Sequence, residues 1–598
     1  MAKKTPLRSE ISVKDQWALE DLYANDELWQ QDLKRLQQVG EELAGFAGKI
    51  SQSPGELLAY LQLSDEASIL IDKLANYAMR RSDQDTGNSY YQGLVGQFMK
   101  VYVACSQNVS FETPELLSIC DEKMDEFYRT EPGLELYRRH LARIRARREH
   151  VLSATEEKLL AATGEMASSP SEIYTVFDNA DLKFQSAEDA DGEKHTITQS
   201  SYIPCLESAD RVLRKNAYES YYAAYNQFRN TCAGLLSAQV KQLQFYADVR
   251  KYPSPLDASL SATEVPTSVY HNLIEAVHQN MDKMYRYVAL RKKVLGLDEL
   301  RMYDMYTPLV ADADTHIEFE DAKKTVLDAL SCMGEDYIKI LKEGFDNRWI
   351  DVYENVGKRS GAYSAGTVVH PYVLLNYSGT LDSQFTLAHE MGHAIHSYLS
   401  TKTQPTVYSE YVIFVAEVAS TCNEALLMEY LLGKTTDKRQ RAYLINHFLD
   451  QFKGTLYRQT MFAEFELRIA TLNQQGVTLT ADVICEEYRK LNTLYYGPDV
   501  VQDDQIALEW ARIPHFYRNY YVFQYATGYA AAIALSRKIL KEGKPAVEKY
   551  LGFLSGGCSK TPIDLLKDAG VDMTTAEPVN AALELFGELL DEMEQLVQ

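Results

Sequence analysis

This 598-residue sequence predicts a mainly α-helical protein. Three observations carry the prediction. Apolar residues recur at helical spacing along most of the chain. Prolines are few, 17 in all, and no proline-rich linker divides the chain, so its parts are expected to pack as one body. Stretches with strand character are short and confined to a few places.

Residues 15 to about 180 read as long amphipathic helices separated by short polar breaks, with no repeat and no low-complexity tract. Around Phe177 to Ile203 the pattern changes. Asp181-Leu182-Lys183-Phe184, then Asp191-Gly192, then His195-Thr196-Ile197-Thr198 has the form of a small hairpin, and a domain boundary is placed at residue 200. Helices resume from about 207 to 345. The β-branched and aromatic segment Val368 to Tyr377 reads as extended. Next come two apolar helices. The first starts at Thr380, with Asp382 near the positive end of its dipole, and the second runs from an N-cap at Ser409 to a stop at Gly433. The C-terminal part is helical again and ends in an acidic amphipathic helix from Ala576 to Gln598.

Composition excludes several classes. Acids outnumber bases 85 to 61, a net charge of −24, which argues against nucleic acid and anionic membrane as partners. The six arginines between Arg138 and Arg148 stand out and are read as a solvated helix face paired with acids. Eight cysteines are scattered without C-x-x-C spacing, as expected for free thiols in a reducing compartment. Met1-Ala2-Lys3-Lys4-Thr5-Pro6 is basic but lacks the apolar stretch of a secretory leader. No apolar run approaches the roughly 18 residues of a membrane span. A cytoplasmic, soluble protein is expected; oligomeric state is not legible.

Within the first apolar helix, His389-Glu390-Met391-Gly392-His393 spells H-E-x-x-H. Imidazoles four positions apart lie on one helical face, about 6 Å apart along the axis, and can share one zinc ion. Glu390 is then placed as general base for peptide hydrolysis. Two surface histidines with a solvated glutamate is the blander reading. Phe385, Leu387, Ala388, Met391, Ala394, Ile395 and Leu399 argue against it, because a helix apolar on most sides belongs in an interior.

A catalytic zinc usually takes three protein ligands and keeps one open position. A third histidine at 399 would signal a metzincin, but the chain has Leu399. His396 shares the face but sits about 10.5 Å along the axis from His389, which suits a supporting or channel-wall position better. Glu417, flanked by Val415, Ala416, Val418 and Ala419 on the second helix, is a carboxylate that needs a partner or a metal. Glu424 lies two turns further along the same face and would either orient a ligand histidine or form a salt bridge.

The chain resembles oligoendopeptidase F, of the thimet-oligopeptidase-like zinc peptidases. The resemblance is carried by residues 389–396 and by Phe414-Val415-Ala416-Glu417-Val418-Ala419-Ser420-Thr421. It extends to Gly357-Lys358-Arg359-Ser360-Gly361-Ala362-Tyr363-Ser364, Tyr303-Asp304 and Ala180 to Phe184, and downstream to His515-Phe516-Tyr517 and residues 521–528. It implies zinc ligands at His389, His393 and Glu417, Glu390 as base, and an elongated multi-helix body with a deep substrate channel and a small β-sheet beside the zinc helix. Residues 201–598 would form the catalytic domain behind an N-terminal helical region, 1–200. A strand in the segment before the zinc helix would pair with the substrate backbone, which tolerates varied side chains.

Tyr521, Tyr525 and Tyr529 recur every four positions and would share a helical face. On residues alone they read as packing. The resemblance places a histidine and tyrosines of this segment over the active site, making His515, Tyr521 and Tyr525 the candidate oxyanion donors, with Tyr520 the alternative in register. The expected activity is a zinc endopeptidase acting on internal bonds of short unfolded peptides. The alternatives are a carboxypeptidase or dipeptidyl carboxypeptidase on the same scaffold, or a non-catalytic peptide-binding protein.

Overall fold

The computed structural model describes residues 5–310 and 316–597. The leader reading of Met1 to Lys4 and the 311–315 part of the helical stretch 207–345 lie outside the described residues. The chain forms two compact units, each assembled from three segments. The first comprises Met1–Ala154, Thr315–Leu427 and Leu535–Gly570; the second comprises Thr155–Asp314, Met428–Ala534 and Val571–Gln598. The boundary read at residue 200 therefore falls inside the second unit's first segment. Local composition reports where a pattern changes, not which distant segments return to share a core.

In the first unit, helices Asp26–Ala44, Pro54–Gln84 and Ser89–Asn108 pack side by side. Asn25 caps the first, its side chain accepting the Leu28 amide at 3.0 Å, with Asp26 and Glu27 at the positive end of the dipole. Pro54 opens the second, where a missing N–H costs nothing. Their apolar faces form a core that runs from Trp17 and Trp29 through Leu36, Leu57 and Leu74 to Tyr372 and Leu374.

Those last two residues belong to a three-stranded sheet. Tyr372–Leu374 is its centre, parallel to Ile350–Asp351 on one side and antiparallel to Tyr363–Ala365 on the other. Lys358 fixes the layers: its buried ammonium donates to the carbonyls of Tyr353 and Leu375 at 2.7 and 2.6 Å and pairs with Asp351 at 2.8 Å. Burial would raise the Asp351 carboxyl, but Arg8 and Lys358 hold it below the usual carboxylate range.

The expected strand thus exists, shorter than Val368 to Tyr377, and one expectation is corrected. Tyr372–Leu374 has a neighbour on each side and cannot accept a peptide; of the two edge strands, Ile350–Asp351 is buried and Tyr363–Ala365 half-buried. Tyr363 is pinned there by its hydroxyl on Asp83 and by Arg80, whose guanidinium lies 4.8 Å from the ring centre.

The arginine run is more than a solvated face. Arg145 donates to the Leu116 and Ile119 carbonyls and Arg148 to Ile119, which closes backbone groups left open where helix Glu112–Ser118 ends, and Arg139 donates to the Cys558 carbonyl in a turn.

The second unit holds the predicted hairpin, Ala187–Glu188 against Lys194–His195, with Gly192 at φ +82° in the turn. A two-residue parallel ladder joins Leu300–Arg301 to Val500–Val501. The C-terminal helix spans Glu577–Leu596, as expected. Some of its buried charges are paired: Glu509 accepts from Arg458 at 2.6 Å, Arg512 at 2.9 Å and Tyr488 at 2.5 Å. Asp304 holds Arg211 and Arg214, each at 2.9 Å, and Phe184 stacks on Tyr221 at 4.6 Å, so two of the resemblance motifs are structural.

Candidate metal centre

The H-E-x-x-H segment lies within helix Leu381–Thr403 of the first unit. Thr380 caps it, accepting the Ser383 amide at 3.2 Å, and Asp382 sits in the first turn. Phe385, Leu387, Ala388, Met391, Ala394 and Ile395 are buried, as the apolar pattern required, while Leu399 is only half-buried. The second helix is Ile413–Lys434, shorter at its start than expected. Ser409 is not its cap: the Ser409 hydroxyl donates to the Thr406 carbonyl in a 3-10 turn, and the Ser409 carbonyl is taken by Ser400. Gly433 lies inside the last turn rather than beyond it.

The two helices meet at Gly392. A Cβ there would stand 2.6 Å from the Cα of Ser420 and 2.8 Å from the Ala419 carbonyl oxygen, so only glycine permits this approach. Asn423 fastens the crossing, donating to the Ala388 carbonyl at 3.1 Å while its own oxygen accepts from Tyr337 at 2.7 Å.

The crossing brings Glu417 to both imidazoles. Its Oε2 lies 3.5 Å from His389 Nε2 and 3.6 Å from His393 Nε2, and one donor atom from each residue falls within 4.8 Å of the others. The His389 and His393 rings stand nearly perpendicular, 83°, with centroids 4.8 Å apart. His389 Nδ1 is hydrogen-bonded to Glu424, which leaves Nε2 turned toward Glu417. Burial would lower the His389 pKa, but the Glu424 carboxylate lifts it to about 9. Burial would raise Glu417, but His393 and His389 draw it down to about 2, and Ser420 donates to it at 3.2 Å.

Two imidazole nitrogens and one carboxylate oxygen this close are a donor set that fits a divalent cation, and zinc in particular. Glu390, the residue between them in sequence, is buried, its Oε2 has no hydrogen-bond partner, and burial raises its carboxyl above the usual range. His396 takes no part in the triangle. It is buried and stacked on Tyr411 at 3.7 Å, and burial depresses it to about 3. A second cluster, Asp189, Glu193 and His195, also meets the spacing, but Asp189 already accepts the Asp191 and Glu193 amides of its own hairpin turn.

In the second unit, His515, Tyr521 and Tyr525 come together: ring centroids lie 6.1 Å apart for His515 and Tyr521, 6.0 Å for His515 and Tyr525, and 5.3 Å for the two tyrosines. The helical face expected for residues 521, 525 and 529 is corrected. The helix begins at Phe523, so Tyr521 precedes it, and Tyr529 is buried against Phe452. Tyr520 is buried toward Tyr270 and stands outside the cluster. Sequence reasoning missed Gly392, Asn423 and Ser420. A glycine inside an apolar helix was the available signal.

Comparison with known proteins matches the oligopeptidase F profile to residues 115–184 and the peptidase family M3 profile to residues 205–585. The chain belongs to peptidase family M3. It is similar to oligopeptidase PepF of Bacillus subtilis, with 48% identity covering 100% of this chain and 89% of that one. The crystal structure of oligoendopeptidase-F from Enterococcus faecium matches with TM-score 0.75 and 38% identity over 96% of this chain and 99% of that one. A crystal structure from Chlamydophila abortus matches with TM-score 0.93 and 35% identity over 99% and 100%. The mainly helical fold expected from sequence is therefore the fold observed, and as a member of M3 the protein is a metallopeptidase of the oligopeptidase type. No helix among the described residues is long and apolar enough to cross a membrane.

Proposed function

We propose that this M3 peptidase is a zinc-dependent endopeptidase that cuts internal bonds of short unfolded peptides, with one zinc ion held by His389, His393 and Glu417. The observation that carries the reading is the triangle of two Nε2 atoms and one carboxylate oxygen, with the buried, unpartnered oxygen of Glu390 on the same helix. A zinc ion bound there supplies a Lewis acid that polarises the scissile carbonyl and acidifies water.

Glu390 takes the proton from the attacking water and delivers it to the leaving amine; burial raises its carboxyl above the usual range, which makes it the stronger base for the first transfer. Glu424 holds His389 in the tautomer and orientation that present Nε2. Negative charge grows on the carbonyl oxygen as water adds, and the resemblance gives its stabilisation to His515, Tyr521 and Tyr525. Their clustering within the second unit supports that role. The edge strand Tyr363–Ala365 offers main-chain groups to an extended peptide, and it lies close to the motif helix. A Cβ on Gly366, just past the strand, would be 2.7 Å from Ser397. Eight free cysteines support a reducing, cytoplasmic setting, and the acidic net charge supports peptides rather than nucleic acid as partners.

The test is Glu390→Gln, which should retain about one zinc per chain while hydrolysis of a quenched peptide falls at least about 100-fold. Substantial turnover in that variant would remove Glu390 from its role. A peptide with a blocked C-terminus should still be cut at an internal bond; resistance of the blocked peptide would favour the carboxypeptidase alternative.

A further inference from the structure

Two helices in close contact at one glycine pivot about it unless the angle is held on each side. Here the pivot is Gly392 against Ala419 and Ser420. Glu417 lies three residues before Ser420 and swings with any tilt. On an arm of about 4.5 Å, a tilt of about 10° moves it by about 0.8 Å, well beyond the roughly 0.2 Å that metal bonds tolerate.

Beyond the pivot the angle is held by Asn423 on the Ala388 carbonyl and by Glu424 on His389. On the side of Glu417 the contact is aromatic. Tyr411 stands two residues before helix Ile413–Lys434 and stacks flat on His396 of the motif helix. The ring centroids are 3.7 Å apart and the planes within 5° of parallel. The Tyr411 hydroxyl shares a hydrogen bond with Ser397 at 2.8 Å, and Ser400 fastens the same lead-in by donating to the Ser409 carbonyl. His396 is itself fixed, buried and backed by Phe553 at 5.4 Å. Tyr411 is nine residues from Ser420, whereas Asn423 is three, so a given slack at Tyr411 allows roughly a third of the tilt.

We propose that Tyr411 is a positioning residue: its stack on His396 clamps the entry of the second helix to the motif helix and so fixes where Glu417 meets His389 and His393. The consequence for metal rests on the ligand set proposed above. The clamp needs a flat ring at each position. It uses neither imidazole nitrogen, which is consistent with both lacking partners, and the tyrosine hydroxyl is secondary.

The experiment compares His396→Phe, His396→Leu, Tyr411→Phe, Tyr411→Leu and the double leucine variant. Zinc dissociation constants come from chelator competition. The visible spectrum of the cobalt-loaded protein reports ligand geometry, and a thermal midpoint checks folding. Both phenylalanine variants are expected to bind zinc within about threefold of the parent, and each leucine variant at least about tenfold more weakly with altered cobalt bands. The double variant should lose little more than either single one, because both changes remove one contact. Leucine variants with the parent's zinc affinity and cobalt spectrum would overturn the proposal. So would phenylalanine variants as weak as leucine, or additive losses in the double variant. Where a leucine variant shows no cooperative thermal transition, Tyr411→Met, which fills the space without a flat face, replaces it with the same expectations. A parent that binds neither ion refutes the ligand set and not the clamp. Crystal structures of the parent and Tyr411→Met then decide: a Glu417–His393 separation widened from 3.6 Å supports the clamp, and an unmoved one refutes it.

Discussion

Replacing Gly392 with alanine should damage the metal centre without touching a ligand. The new Cβ would lie 2.6 Å from the Cα of Ser420, whereas ordinary contact begins at 3.4 Å. The atoms it meets, Ser420 Cα and the Ala419 carbonyl, are backbone, so no side chain can rotate out of the way. Relief requires the motif helix and helix Ile413–Lys434 to part by about 1 Å at the crossing. Metal–ligand bonds tolerate only about 0.2 Å of error, and Glu417 lies on that second helix one turn before Ser420. Zinc affinity should therefore fall at least about tenfold. Overpacking costs about 1–3 kcal/mol, and the better helix propensity of alanine returns about 1 kcal/mol, so stability should fall by only about 0–2 kcal/mol and the protein stays folded. Zinc dissociation constants from chelator competition, with calorimetric midpoints alongside, measure both quantities. Gly433→Ala is the control: nothing lies within 4 Å of its Cβ position, so it should leave zinc binding unchanged and stabilise by about 0.5–1 kcal/mol. If Gly392→Ala bound zinc as tightly as the parent, the close crossing would not be what sets the ligand geometry.

Three further outcomes follow from buried polar groups. Glu424→Gln removes the charge that orients His389 and should weaken zinc about 10–100-fold while the circular dichroism spectrum stays unchanged. His396→Phe should keep activity, because the ring is packed on Tyr411 and Phe553 and its nitrogens find no partners. The parent's folded-state value, about 3, lies below the ordinary 6.5, so its unfolded state binds the extra proton and stability is lost as pH falls below 6.5. The phenylalanine variant should therefore gain on the parent in urea unfolding as pH drops from 6.5 toward 3, and a constant difference would sink the argument. Glu509 runs through similar arithmetic with an acid: burial would raise it, but Arg458 and Arg512 hold it at about 2 against an ordinary 4.5. Its contribution is present above pH 4.5 and lost as pH falls toward 2. Glu509→Gln should cost about 3 kcal/mol near neutrality, with the gap to the parent closing across that acid window.

Much of the site was legible because its signals are local. The start of the motif helix could be read from Thr380, since a cap acts on its immediate neighbours. Glu417 could be singled out because a carboxylate among valines and alanines needs a partner wherever the helix ends up. The hairpin followed from Asp191-Gly192, a turn set by glycine's own conformational freedom. The start of the second helix was misread because Ser409 spends its carbonyl on Ser400, a residue of the preceding helix that the local pattern does not reveal. The edge strand was misread for a similar reason: strand character shows in the residues, but which strand has a neighbour depends on where Ile350–Asp351 comes to lie.

The sequence by itself determined the helical class, the donor types and the 3.6-residue spacing that puts two imidazoles on one face. Those properties depend on side-chain chemistry and on one helix's periodicity. Only the tertiary structure decided that Gly392 lets a second helix close in until Glu417 reaches both nitrogens, that Lys358 is buried to bind strand carbonyls, and that segments more than a hundred residues apart share one core. Such contacts are set by close packing between distant parts of the chain, and no local pattern encodes the distance between two backbones.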